Sequence, residues 1–112
     1  MSNQLHFRNI DDLRFYKSVM AKLQDPDNLP KECTKYEFVN ALKEANMEYY
    51  NRLLNMYYSS PELQFYWNTV NDLNRDNEDF KRLAILVGAT EEEVIEVFRR
   101  VAIDRLEKPW LK

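Results

Sequence analysis

His6 and Cys33 are the only histidine and the only cysteine of this chain, and these two residue types carry most transition-metal ligation and most nucleophile-base chemistry. A zinc or iron site needs three or four such ligands, and the Glu-x-x-His pairs of di-iron helical bundles do not occur. No metal is expected. A serine or cysteine nucleophile would have to use His6 as its base, with no orienting carboxylate beside it on a rigid element. Cys33 stands among Lys31, Glu32, Thr34 and Lys35, a mixed-charge setting without a histidine partner, and reads as an ordinary small side chain just before a helix. Glu44 and Glu48 share a helix face and have the residue types of a glycosidase pair, but carboxylates four apart are commonplace on solvated helices. The expectation is a chain that is not an enzyme, with no cofactor and no small-molecule substrate.

Glycine supports the same exclusions. The only one among 112 residues is Gly88, where average usage of roughly 7% would supply about eight. A phosphate-cradling glycine loop cannot be built, and tight hairpins that need positive φ are disfavoured. The composition, 45% hydrophobic and 31% charged, is that of a folded globular domain. The length suits one core, so residues 1–112 are read as a single domain.

The longest apolar run, Leu83 to Val87, is far below the roughly 20 residues of a membrane span. The start of the sequence has no basic segment followed by an apolar one, and the single cysteine suits a reducing compartment, so a cytoplasmic location is expected. Residues 1–60 carry eight basic and eight acidic side chains, which leaves eight basic and eleven acidic in 61–112 and places the net charge of −3 in the C-terminal half. That is neither a nucleic-acid footprint nor a strongly acidic mimic.

The elements that would position any site are helical. Asn9 with Asp11 and Asp12 marks a first helix start, and Leu13, Tyr16, Met20 and Leu23 define its buried stripe. Pro26 and Pro30 stop it. Thr34 and Glu37 form a capping box, from which Phe38, Leu42, Ala45, Tyr49, Leu53 and Met56 continue one apolar face. This predicts a long helical spine over Thr34–Tyr58, and Tyr50, Leu54 and Tyr57 make a second stripe that would pack on another neighbour. Ser60-Pro61 starts the next helix, whose inner face is Leu63, Tyr66, Trp67, Val70 and Leu73. A fourth runs through Phe80, Leu83, Ala84 and Val87 to Gly88. Thr90 and Glu93 then form a second capping box, which opens a fifth with Val94, Val97, Phe98 and Val101 facing in. Pro109 prevents the fifth from continuing into Trp110. The expected fold is all-α, a compact orthogonal bundle of about five helices.

Residues 80–99 place Ala84, Gly88, Val94 and Val97 at the fifth, ninth, fifteenth and eighteenth positions from Phe80. This spacing resembles the helix-turn-helix unit of DNA-binding regulators and implies a helix-turn-helix-like C-terminal corner. The resemblance makes a DNA-binding regulator the alternative function. It is disfavoured because the end that would enter the groove carries Glu91, Glu92 and Glu93, with Glu96 one turn on, and phosphates repel carboxylates. Arg99, Arg100 and Arg105 are expected to pair with Glu92, Glu93 and Glu96 along the helix.

The remaining feature is aromatic. Tyr49, Tyr50, Tyr57, Tyr58, Phe65, Tyr66 and Trp67 surround one helix junction. Aromatic side chains with polar tips fill cores and are enriched at interfaces. At 100° per residue Tyr58 and Phe65 project outward. With Trp110 and the acidic Glu91, Glu92 and Glu96 they form the expected surface for another protein or for self-association, as in a small regulatory or accessory module.

Overall fold

Local capping decides where most of the helices begin. Thr34 accepts from the amide of Glu37 at 3.0 Å while the Glu37 carboxylate accepts from the amide of Thr34. Thr90 and Glu93 repeat the arrangement. Ser60 accepts from Leu63 N and Asn77 from Phe80 N. Gly88, at φ 83° and ψ 21°, ends a helix in the left-handed conformation, with its own amide and that of Ala89 donating back to Ile85 and Ala84. The structure is a computed structural model that describes residues 10–107. Asn9, His6, Pro109 and Trp110 lie outside the described residues.

The order is α1 (Ile10–Lys22), a single 3-10 turn (Pro26–Asn28), β1 (Glu32–Thr34), α2 (Lys35–Ala45), α3 (Met47–Ser59), α4 (Pro61–Thr69), β2 (Asp72–Asn74), α5 (Glu78–Val87) and α6 (Glu91–Glu107). The protein is mostly helical, as its composition implies. Among the described residues no helix is long and apolar enough to cross a membrane.

The expected spine over Thr34–Tyr58 is two helices. Asn46 interrupts it in extended conformation, φ −159° and ψ 90°, ending α2 and capping α3 by accepting from Tyr49 N at 3.0 Å. Its amide nitrogen donates to Glu93 at 3.2 Å, and Arg52 binds the same Glu93 oxygen at 2.7 Å and the carbonyl of Gly88. The break is thus tied to the α5–α6 corner, and it brings the Phe38 and Tyr49 rings edge to face at 6.4 Å.

Two short strands also depart from the helical expectation. β1 and β2 pair antiparallel, with Cys33 opposite Leu73 and both side chains buried. α4 therefore stops before Val70, and Leu73 enters the core from β2 rather than from a helix face. Burial pushes the Cys33 thiol up to about 12, which leaves it unreactive at neutral pH.

The main core gathers Phe38, Ala41 and Leu42 of α2 with Val97, Phe98 and Val101 of α6, closed by Tyr49, Leu63, Leu73, Phe80, Leu83 and Val87. α1 docks separately. Of its expected stripe only Leu23, just past the helix end, is buried, in a small cluster with Leu29 and Ile103 against which Met20 packs; Leu13, Tyr16 and Met20 are half-buried.

The arginines of α6 do not pair with Glu92, Glu93 and Glu96. Arg99 donates to the carbonyls of Leu23 and Gln24, fastening α1. Arg105 binds Glu37, and Arg100 binds Glu44, Asp104 and Glu107. Arg99 and Arg105 reach to the end of α1 and to Glu37 of α2, and Arg100 reaches Glu44 of α2 together with two largely buried carboxylates of its own helix. Partly desolvated partners bind more strongly than exposed ones.

Asp104 is buried beside Arg100 and Glu44. Burial first, then the hydrogen bond with Glu44, push its carboxyl up from 3.8 to about 6, against the attraction of Arg100. A raised folded value means that its contribution is fully present below 3.8 and is lost as pH rises through about 6. Asp104→Asn, which keeps the neutral form, is therefore expected to be more stable than wild type at pH 7 by on the order of 1 kcal/mol, and to lose that advantage near pH 4. Urea titrations at the two pH values check this; a variant equally destabilised at both would contradict it.

Candidate functional site: an aromatic groove

Three helices meet around the aromatic cluster without closing over it. Val39 of α2, Tyr50, Leu53, Leu54, Tyr57 and Tyr58 of α3, and Leu63, Trp67 and Asn68 of α4 line a groove of about 270 Å³. Its floor is continuous with the core through Leu53, Leu63 and Trp67. The stripe Tyr50, Leu54 and Tyr57, expected to pack on a neighbouring helix, faces this groove instead. Ser60, in extended conformation at φ −119° and ψ 108°, breaks the chain between α3 and α4 beside this space.

The walls are held in place. Tyr57 and Tyr58 meet edge to face at 5.6 Å. The Tyr57 hydroxyl donates to Asn68 at 3.3 Å, and the Gln64 amide donates to the Tyr57 carbonyl at 2.6 Å, which ties α4 to the end of α3. Lys35 donates to the Trp67 carbonyl at 2.9 Å with its ammonium 5.9 Å from the Trp67 ring. Lys43 lies 5.2 Å from the Tyr50 ring. Each cation sits over the ring of a residue that lines the groove, and the ring quadrupole attracts it.

A cleft of about 330 Å³ also opens between α5 and α6, lined by Ala84, Ile85, Ala89 and Val94 with Arg75, Asp76, Lys81 and Glu91 at its edges. Ala84 and Val94, which the helix-turn-helix spacing would press together, both face this cleft and are half-buried.

The residues expected to form one surface are spread over several. Tyr58, 73% exposed, lines the groove. Phe65, 72% exposed, is two residues from Trp67 and so about 200° round α4, away from it. Glu91 borders the α5–α6 cleft, and Glu92 and Glu96 are exposed on α6. Trp110 lies outside the described residues. The sequence reading missed Val39 and Trp67 as groove residues, and Lys35 and Lys43 as the cations over the Trp67 and Tyr50 rings. The available signal was the four-residue spacing of Lys35, Val39 and Lys43 on one face of α2. Among the described residues no group of three or more His, Cys, Asp or Glu could hold a metal ion. Comparison of the chain with protein-family models, with curated proteins and with solved structures finds no match.

Proposed function

We propose that this chain is a non-catalytic, cytoplasmic protein-interaction module that receives part of a partner protein in the groove between α2, α3 and α4. The observation that carries the reading is the groove itself: an open, aromatic-walled space with hydrogen-bonded walls, bordered by Tyr58 and Leu54 at the surface. Apolar side chains left in contact with water around a shaped depression are the usual basis of an interface hot spot. The volume is just under the roughly 300–1,000 Å³ of small-molecule sites and suits a few inserted side chains.

The test is affinity capture from the host lysate with wild type, Leu54→Asp, Tyr58→Ala and Phe65→Ala. Leu54→Asp is expected to lose the captured partner at least tenfold and Tyr58→Ala several-fold, whereas Phe65→Ala retains it. Loss with Phe65→Ala alone would move the interface to the other side of α4.

For the architecture we infer an orthogonal bundle with a helix-turn-helix-like corner. Gly88 in the left-handed conformation, the Thr90–Glu93 capping box and the burial of Leu83, Val87 and Val97 support it. DNA binding through this corner is the weaker function. Glu91, Glu92 and Glu96 are exposed at the tip, and Arg99, Arg100 and Arg105 are engaged in bonds within the fold. Duplex DNA is expected to show no mobility shift with the chain even at low salt, where attraction to phosphates is strongest; a salt-sensitive shift would favour the DNA reading.

A further inference from the structure

We infer that the groove selects an acidic amphipathic helix, one that inserts apolar side chains and sets carboxylates against Lys35 and Lys43; this rests on the groove being the binding site. The charges on the three helices are sorted by face. On α2, Lys35 and Lys43 flank Val39, which lines the groove, at four-residue spacing, while Glu37 is held by Arg105 and Glu44 by Arg100. On α3, Glu48 is two residues before Tyr50 and so falls about 200° round the helix from it, and Arg52 is held by Glu93. On α4, Glu62 is drawn away by Arg82 at 2.8 Å. Two ammonium groups, Lys35 and Lys43, stand over the rings of Trp67 and Tyr50, two residues that line the groove.

An incoming segment therefore meets apolar walls with positive charge at the edge. A helix with aliphatic side chains at i, i+4 and i+7 would fill the depression with one stripe, and carboxylates on the adjoining positions would reach the lysines. A basic helix would bring like charges together as it displaced water from the rings. A second copy of the groove would do the same, since it would oppose lysines to lysines. The α5–α6 cleft has no such bias, because Lys81 and Arg75 are balanced there by Glu91 and Asp76.

The test uses fluorescence anisotropy with two labelled helical peptides of about 15 residues. Both carry leucine at i, i+4 and i+7; one has glutamate at the flanking positions and the other lysine. The glutamate peptide is expected to bind at least tenfold more tightly, and Lys35→Gln with Lys43→Glu is expected to abolish or reverse the preference. Leu54→Asp should weaken both peptides. Equal binding of the two peptides, weakened by Leu54→Asp, would overturn the charge selection and leave the groove as the site. Binding unaffected by Leu54→Asp would overturn the groove itself. If neither peptide bound and light scattering of the chain alone showed a dimer that Leu54→Asp dissociates, the occupant would be a second copy and the inference would be wrong.

Discussion

Phe98→Ala is expected to lower the stability of the protein by about 3–5 kcal/mol, a large share of the roughly 5–15 kcal/mol available to a domain. Phe98 is fully buried on α6. Its ring contacts Phe38 and Phe80 at centroid distances of 6.0 Å, and the Arg75 guanidinium lies 5.9 Å from its face. Alanine would leave a cavity among rings that hold one another edge-on and cannot collapse into it. Arg75 also donates to Pro30 and Pro26, which ties the chain before β1 to the chain after β2, so its loosening would spread to the strand pair. Urea denaturation measures the effect. A loss below about 1 kcal/mol would mean that the aromatic core is not packed as described.

Arg105→Ala is expected to cost about 2–3 kcal/mol. The guanidinium grips Glu37 with two bonds, Nε to Oε2 at 2.7 Å and a terminal nitrogen to Oε1 at 3.1 Å, and donates to the Glu32 carbonyl at 3.0 Å. It therefore fastens the end of α6 to the β1–α2 junction. Glu37 is only 6% exposed, and removing its partner strands a buried carboxylate, which costs about 3–5 kcal/mol in a sealed interior. The Arg105 side chain is 30% exposed, so water can partly replace it and the expected loss is smaller. Arg105→Lys should recover part of the loss, because it restores the charge without the two-pronged geometry. The hydrogen bond from Arg105, then that from the Thr34 amide, outweigh burial and hold Glu37 below its ordinary 4.5. Its contribution is therefore complete above 4.5 and fades as pH falls through the lower folded value. The difference between wild type and Arg105→Ala should narrow on acidification, because the contribution of Glu37 falls as pH falls, whereas that of Asp104 rises. A difference that stayed constant to about pH 3 would place the effect in packing rather than charge.

The candidate site was partly visible in the sequence. Periodicity along single helices turned Tyr58 and Phe65 outward and set Tyr50, Leu54 and Tyr57 on a second stripe, because a helix fixes 100° per residue whatever surrounds it. It did not say whether that stripe met another helix or an opening. The answer depends on the angle between α3 and α4 and on the placement of α2, none of which is encoded within one helix. Lys35 and Lys43 looked like ordinary surface cations until Trp67 and Tyr50 were brought beneath them.

By itself the sequence determined the helical class, the starts at Thr34, Ser60 and Thr90 and the stop at Gly88, because a cap and the amides it binds lie within three residues of each other and a positive φ is a property of glycine. Only the tertiary structure decided the break at Asn46, the pairing of β1 with β2 and the partners of Arg52, Arg99, Arg100 and Arg105. Asn46 meets Glu93 across 47 residues of chain, and Glu37 meets Arg105 across 68. Where two groups that distant come together, the gain in hydrogen bonding and burial exceeds the local preference for unbroken helix, and no window along the chain contains both of them.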